Sequence, residues 1–228
     1  MGIFNSVSAI RTEASLLAYL SATDITVVPY ALIDKYIWRT YEDLYWEIEN
    51  DNQGFFGRIG YIDSIADTDN YTISASLLSS DGYNPLYSVW VKESSTAEYY
   101  KADPITINDI KLSSQTFEWN NPKYYLYGDK IYVKPIPTGA VTSAMKVYFT
   151  PNPLVLSADT KEHNLPSGFD DVMIKSATHK IYRQLQDFDN ANVYLEEYGR
   201  LKQLHMERLN KRSKQTRISM RDVRYINQ

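Results

Sequence analysis

Three histidines, His163, His179 and His205, are the first candidates for acid–base or metal chemistry in this chain, and they lie far apart, one in a loop and two in helical sequence. No HExxH pattern and no His–acid pairing at metal-ligand spacing accompanies them, so they read as ordinary polar positions. Cysteine is absent, which removes thiolate nucleophiles, thiolate metal sites and disulfides. Neither a GxSxG elbow nor a Walker A loop occurs. "GFFGRIG" at 54–60 spaces its glycines as GxxGxxG, between a helix and strands. A dinucleotide fingerprint needs GxGxxG between a strand and a helix, so turns at a helix–strand junction are the better reading. The acid pairs Glu42-Asp43, Asp170-Asp171 and Glu196-Glu197 are adjacent on helical sequence, where neighbours point apart and do not share a two-carboxylate site. Asp67 to Asn70 imitates half a calcium loop but lacks its glycine and distal glutamate. Catalysis, metal and cofactors are therefore not expected.

The elements behind these residues fall into three stretches. Residues 8–20 carry Ile10, Leu16, Leu17 and Leu20 as a short amphipathic helix, and β-branched 23–28 reads as an extended link. After Pro29, apolar residues from Leu32 to Ile48 recur at three- and four-residue steps, predicting a helix that stops at the polar "ENDNQG". From 53 to 150 the texture changes to short aromatic or β-branched runs between Gly, Asp, Asn and Pro: "RIGYIDSI", "NYTISASLL", "YSVWVKE", "EYYK", "KYYLYGDKIYVKP" and "SAMKVYFT". The clearest hairpin is 123–127 with 130–134, where Gly128 supplies the positive φ of a tight II′ turn. Pro166, Ser167 and Gly168 then announce a helix with Val172, Met173, Ala177, Ile181 and Leu185 on one stripe. "QDFDNAN" is either a turn, capped by Asp189 or Asn190, or the middle of one continuous helix. Tyr194, Leu195, Tyr198, Leu201, Leu204, His205 and Leu209 prolong the pattern, which fades beyond Asn210 into a tail expected to be extended or disordered when free.

This order predicts an α+β protein: a helical bundle built from the N- and C-terminal helices, an inserted antiparallel β-rich domain, and an extended C-terminal tail. The expected divisions are 1–52, 53–157, 158–210 and 211–228. No signal peptide and no membrane span are expected, so the setting is cytoplasm or an assembly built there.

Two biases bear on partners. Tyr numbers 20 against 7 Phe and 4 Trp, and tyrosine suits surfaces that are half buried or meet partners. Tyr99, Tyr100, Tyr124 and Tyr125 sit in strand sequence, so each pair puts one ring on either face. Each ring alone is ordinary packing; the excess as a whole reads as subunit interface, with sugar stacking as the alternative. Charge is also segregated. Residues 199–228 hold nine Lys or Arg and two acids, so with −4 for the chain, residues 1–198 carry −11. Lys211, Arg212, Lys214, Arg217, Arg221 and Arg224 interleave with Ile218 and Tyr225, and phosphate binding needs no such apolar residues. Docking onto a protein partner does, and ranks first over nucleic-acid binding and an inert end.

The combined pattern resembles the head-to-tail adaptor (connector) proteins of tailed bacteriophages, of the short-tailed and crAss-like type. It runs through the aromatic hairpin, Pro135 and Pro137, a strand ending at Tyr148, Pro153-Leu154, the acidic loop at Asp159, Leu165-Pro166, and Ala177 within the helix. "TVVPYALIDKYIWRTYEDLYWEI" is similar to that family's N-terminal helix. The resemblance implies a virion protein of the neck, made in host cytoplasm, that forms a homo-oligomeric ring, commonly of twelve, below the portal protein. Viral DNA would pass its bore without specific contacts, the C-terminal segment would dock on the portal, and the β part would face outward or toward downstream tail or ring proteins. A carbohydrate- or receptor-binding β module, with no task for the basic tail, is the second reading; an enzyme such as a nuclease or lysin is the third.

Overall fold

The computed structural model describes residues 6–21, 24–72, 86–106, 117–128, 130–156, 163–166 and 168–225, with side chains as far as Lys211. It divides into two compact units, Met1–Gln53 with Pro153–Gln228, and Gly54–Asn152.

The first unit is helical: α1 (Val7–Leu17), α2 (Asp24–Val27), α3 (Tyr30–Asp51), α4 (Phe169–Gln184) and α5 (Phe188–Tyr225). Ser6 caps α1 by accepting from the Ala9 amide, and Val7, Ile10 and Ala14 turn inward. α2 lies where extended chain was expected. Ser21 and Asp24 explain it as a reciprocal capping box: the Ser21 hydroxyl accepts from the Asp24 amide at 3.3 Å, and the Asp24 carboxylate accepts from the Ser21 amide at 2.9 Å. β-branched composition lost to that local hydrogen bonding.

α3 starts after Pro29 and buries Ile33, Ile37, Thr40, Tyr41, Leu44, Tyr45, Ile48 and Glu49. Each fully buried aliphatic side chain contributes about 1.5–3 kcal/mol, so α3 is held by its packed face rather than by propensity. α4 packs against α1, α3 and α5, and accordingly buries residues around most of its circumference. Where α3 crosses α4, Thr40 and Ser176 meet hydroxyl to hydroxyl at 2.8 Å, a small-residue contact that lets the helices approach.

The helix does not run through "QDFDNAN". α4 ends at Gln184 with Leu185 as its C-cap, Gln186 takes φ +62, and Asp187 restarts the helix by accepting from the Asn190 amide at 3.2 Å. The cap is therefore Asp187, not Asp189 or Asn190. Beyond Asn210 the backbone stays helical to Tyr225, where fading periodicity had pointed to extended chain.

The second unit is a seven-stranded sheet in the order β1-β7-β3-β4-β5-β6-β2. Its strands are β1 (Arg58–Ser64), β2 (Asn70–Thr72), β3 (Leu86–Val91), β4 (Tyr100–Pro104), β5 (Lys123–Tyr127), β6 (Lys130–Lys134) and β7 (Val141–Phe149). Among the described strands all pairings are antiparallel except β4 with β5, which is parallel, so the sheet is mixed. The β5–β6 hairpin forms in the register the sequence requires, Tyr127 opposite Lys130, with Gly128 at φ +60. "NYTISASLL" yields β2, and its remainder lies outside the described residues. One face of the sheet holds the core, with Val89, Val91, Ala102, Ile131, Val133 and Met145 at its centre and Tyr71 and Tyr124 at its side.

Candidate functional site

Strand alternation fixes which residues share the second face of the sheet, because registered partners on neighbouring strands point the same way. Ile59 and Tyr61 on β1 oppose Tyr148 and Lys146 on β7. Lys146 opposes Trp90 on β3, and Trp90 opposes Lys101 on β4. Across the parallel pair Asp103 opposes Lys123; beyond it Lys123 opposes Lys134, Tyr125 opposes Tyr132, and Tyr127 opposes Lys130. Most intervening residues form the core, with Tyr100 and Leu126 exposed at its margin, so this outward face is a field of lysines and aromatic rings.

Contacts within the field are specific. Lys123 meets Asp103 at 2.7 Å and Lys134 meets Asp69 at 2.8 Å, and in each case the amine holds the carboxyl below its ordinary range, against burial in the case of Asp69. Lys146 lies over the rings of Tyr148 and Tyr99, at 5.0 and 5.9 Å, and Lys92 lies over Tyr99 at 5.1 Å. The hydrogen bond with Tyr148 raises the Lys146 amine, keeping it charged. Tyr125 and Tyr132 stack on each other, centroids 4.5 Å apart at 13°.

The four expected interface tyrosines land in different surroundings. Tyr124 is 9% exposed and packs in the sheet core, which leaves little of its ring for a neighbour. Tyr125 belongs to the outward field, so this pair divides between the two faces as strand geometry demands. Tyr100 opens β4 and is exposed, and Tyr99 precedes it, donating its hydroxyl to the Ser143 carbonyl at 2.6 Å. Sequence reading missed Trp90, Tyr132, Tyr148 and Lys146, although the alternation of "KIYVK" and "SAMKVYFT" carried the signal.

In the helical unit, His163 is not an ordinary exposed position. Its Nε2–H donates to the Asp170 carboxylate, both side chains are almost fully buried, and its Nδ1 accepts from the Leu165 amide at 3.2 Å. Tyr41 flanks the pair: its hydroxyl donates to Asn164 Oδ1 at 2.7 Å and accepts from the Leu154 amide at 2.9 Å. Burial pushes the Tyr41 phenol up to about 12, with the Leu154 amide opposing and Glu42 adding. This closed cluster binds residues 154 and 163–165 to α3 and α4. Its polar atoms satisfy one another, which makes it a clasp and gives no opening to a substrate. His163 and Asp170 stand seven apart across a proline turn, a spacing no motif marks.

His179 Nδ1–H donates to the Ala191 carbonyl at 2.8 Å and ties α4 to α5. His205 on α5 packs against Phe169, ring centroids 5.5 Å apart, and burial holds its imidazole below the usual value, with Arg208 adding and Asp171 opposing. Among the described residues no group of three or more His, Cys, Asp or Glu is placed to hold a metal ion. No described helix is long and apolar enough to cross a membrane.

Of the expected docking residues, Lys211 is exposed on α5; Arg212, Lys214, Arg217, Ile218, Arg221, Arg224 and Tyr225 occupy the same helical backbone, and their side chains lie outside the described residues. By helical period, positions 211, 214, 218, 221 and 225 fall in one row. A family model described as SU10 adaptor protein matches residues 14–223, spanning both units. No curated protein matches the chain.

Proposed function

Because this chain belongs to the SU10 adaptor protein family and so serves as a structural, non-enzymatic adaptor of the phage virion, we propose that its copies form a closed ring at the neck, between the portal protein and the tail. The family match over 14–223 carries the reading, since it takes in both units and most of the basic helix. We place twelve subunits in the ring, its assembly in host cytoplasm, and viral DNA in its bore. A body of −11 over residues 1–198 suits a conduit, because like charge keeps the duplex from adhering.

The basic end of α5 is the portal-docking element in this reading. A helix with lysine, arginine, isoleucine and tyrosine positions in one row suits a groove on a larger assembly better than a phosphate backbone. Tyr125 with the field around it, and the exposed Tyr100 on the other face of β4, belong to subunit contacts, and downstream tail proteins meet the opposite end of the ring.

Native mass spectrometry of the protein alone and with portal protein tests the ring; absence of a closed oligomer in both settings overturns it. Deleting residues 213–228 is expected to abolish portal docking while leaving the thermal melt of the body unchanged. Docking that survives the deletion refutes the role of the basic end.

A further inference from the structure

The outward sheet face is a built surface with an excess of one charge. Of its lysines, Lys123 and Lys134 are matched by Asp103 and Asp69, whereas Lys101, Lys130 and Lys146 make no ion pair among the described residues. Several of its rings are covered, while Tyr61 on β1 and Tyr127 on β5 stay 55% and 65% exposed. Tyr125 and Tyr132 cover each other, and lysine amines lie over Tyr99 and Tyr148. A nucleobase or a sugar stacks on a free ring face, so the covered rings Tyr99, Tyr125, Tyr132 and Tyr148 disfavour both. What it presents is ring edges, hydroxyls and amines, which suit a protein surface carrying carboxylates and apolar side chains.

Such a surface exists on the chain itself. Residues 1–53 and 153–198 hold seven Lys or Arg against sixteen Asp or Glu, a net −9, and the +7 of this unit's remaining residues, 199–228, lies toward the basic end of α5. On α5, Asp189, Val193, Glu196, Arg200, Leu204 and Glu207 follow one helical stripe, all six exposed, with three acids against the single cation Arg200. Val193 and Leu204 are 53% and 39% exposed, so apolar area lies between the acids.

We propose that the lysine–aromatic face of one copy docks on this acidic stripe of α5 in a second copy. The two surfaces differ, so the contact is head to tail, the kind that repeats around a ring; a self-complementary patch would stop at a dimer. The inference rests on the ring reading and names the surfaces that make it. The charge pairs steer association and fix register, while Tyr61, Trp90 and the apolar stripe residues supply buried area.

The test uses the full chain, alone and with portal protein, in native mass spectrometry across ionic strength. Lys101→Glu, Lys130→Glu and Lys146→Glu together are expected to weaken assembly by about tenfold or more, with the circular dichroism melt retained. Adding Asp189→Lys, Glu196→Lys and Glu207→Lys to the same chain is expected to restore it, which a merely structural role of the lysines would not do. The milder triple Lys→Gln change covers the case where charge reversal unfolds the sheet, and is expected to weaken assembly less. Wild-type assembly left unchanged by both triples overturns this inference and leaves the ring reading standing. Wild type that stays monomeric in both settings sinks the two together. Oligo-dT binding that the triple variants lose, with assembly intact, overturns it in favour of nucleic acid.

Discussion

Gly168→Ala is the sharpest probe of how the helical unit is assembled. Gly168 precedes α4 with φ +101, a conformation that costs a residue with a Cβ about 1–3 kcal/mol. A methyl group there would also meet the His205 imidazole, with Nδ1 at 2.8 Å and Nε2 at 3.2 Å. The ring can swing aside only by leaving Phe169, and an aromatic contact of this kind contributes about 0.5–1.5 kcal/mol. The two terms together predict a loss of roughly 2–4 kcal/mol. For a chain of this length that corresponds to a Tm lower by about 5–12 °C.

The two terms separate in a double-mutant cycle read by far-UV circular dichroism and denaturant titration. In a His205→Ala background the collision is gone and only the backbone cost remains. Gly168→Ala should then cost less by about 1 kcal/mol, a coupling larger than distant sites show. A single Gly168→Ala that melts within about 1 °C of wild type refutes the conformational argument. A cycle with no coupling refutes the contact between the start of α4 and α5.

Three further outcomes follow from the buried polar groups. His163→Leu leaves the Asp170 carboxylate and the Leu165 amide without partners and should cost about 2–4 kcal/mol in denaturant titration; Asp170→Asn, whose amide oxygen still accepts, should cost clearly less, and equal losses would refute the assigned donor. Tyr41, raised to about 12 by burial, favours the neutral phenol in the fold. Its stabilisation is present below about pH 10 and lost as pH rises toward 12, so Tyr41→Phe should be less stable at neutral pH and flatten that alkaline limb. His205, held below 6.5 first by burial, favours neutral imidazole in the fold. The unfolded chain therefore takes up the proton first, and stability falls as pH drops from 6.5 through the lowered value. His205→Gln should remove that slope, and a slope that persists would show it belongs elsewhere.

Much of this fold was legible because burial is periodic. α3 could be read from its three- and four-residue steps, and β5 with β6 from alternation around Gly128, since those patterns are imposed by the face each element buries. What escaped was decided by hydrogen bonds between a few polar atoms. Ser21 with Asp24 made a helix of β-branched sequence, and Asp187 took the cap assigned to its neighbours. The parallel β4–β5 pair depends on the path of the chain between them, which no local pattern records. The His163–Asp170 clasp was invisible for the same reason, being formed across a turn by residues each unremarkable alone.

The tyrosine excess shows why composition alone could not locate the partner surface. Tyr41, Tyr45, Tyr71, Tyr124 and Tyr182 are buried, and of these Tyr41, Tyr71 and Tyr182 donate their hydroxyls to acceptors within their own unit. Tyrosine is there a core residue whose polar tip secures a loop or a helix end. Tyr125, Tyr132 and Tyr148 are half buried on the opposite side of the sheet, among lysines. One residue type thus does two jobs, and only the register of the strands tells them apart. Lysine marks the difference better than tyrosine does: at positions facing away from the core it needs water or a carboxylate, and among the described residues acids match only some of its amines. Amines without a carboxylate among the described residues, set between exposed rings, are a surface on which a helix carrying acids and apolar side chains would answer both the charge and the ring area.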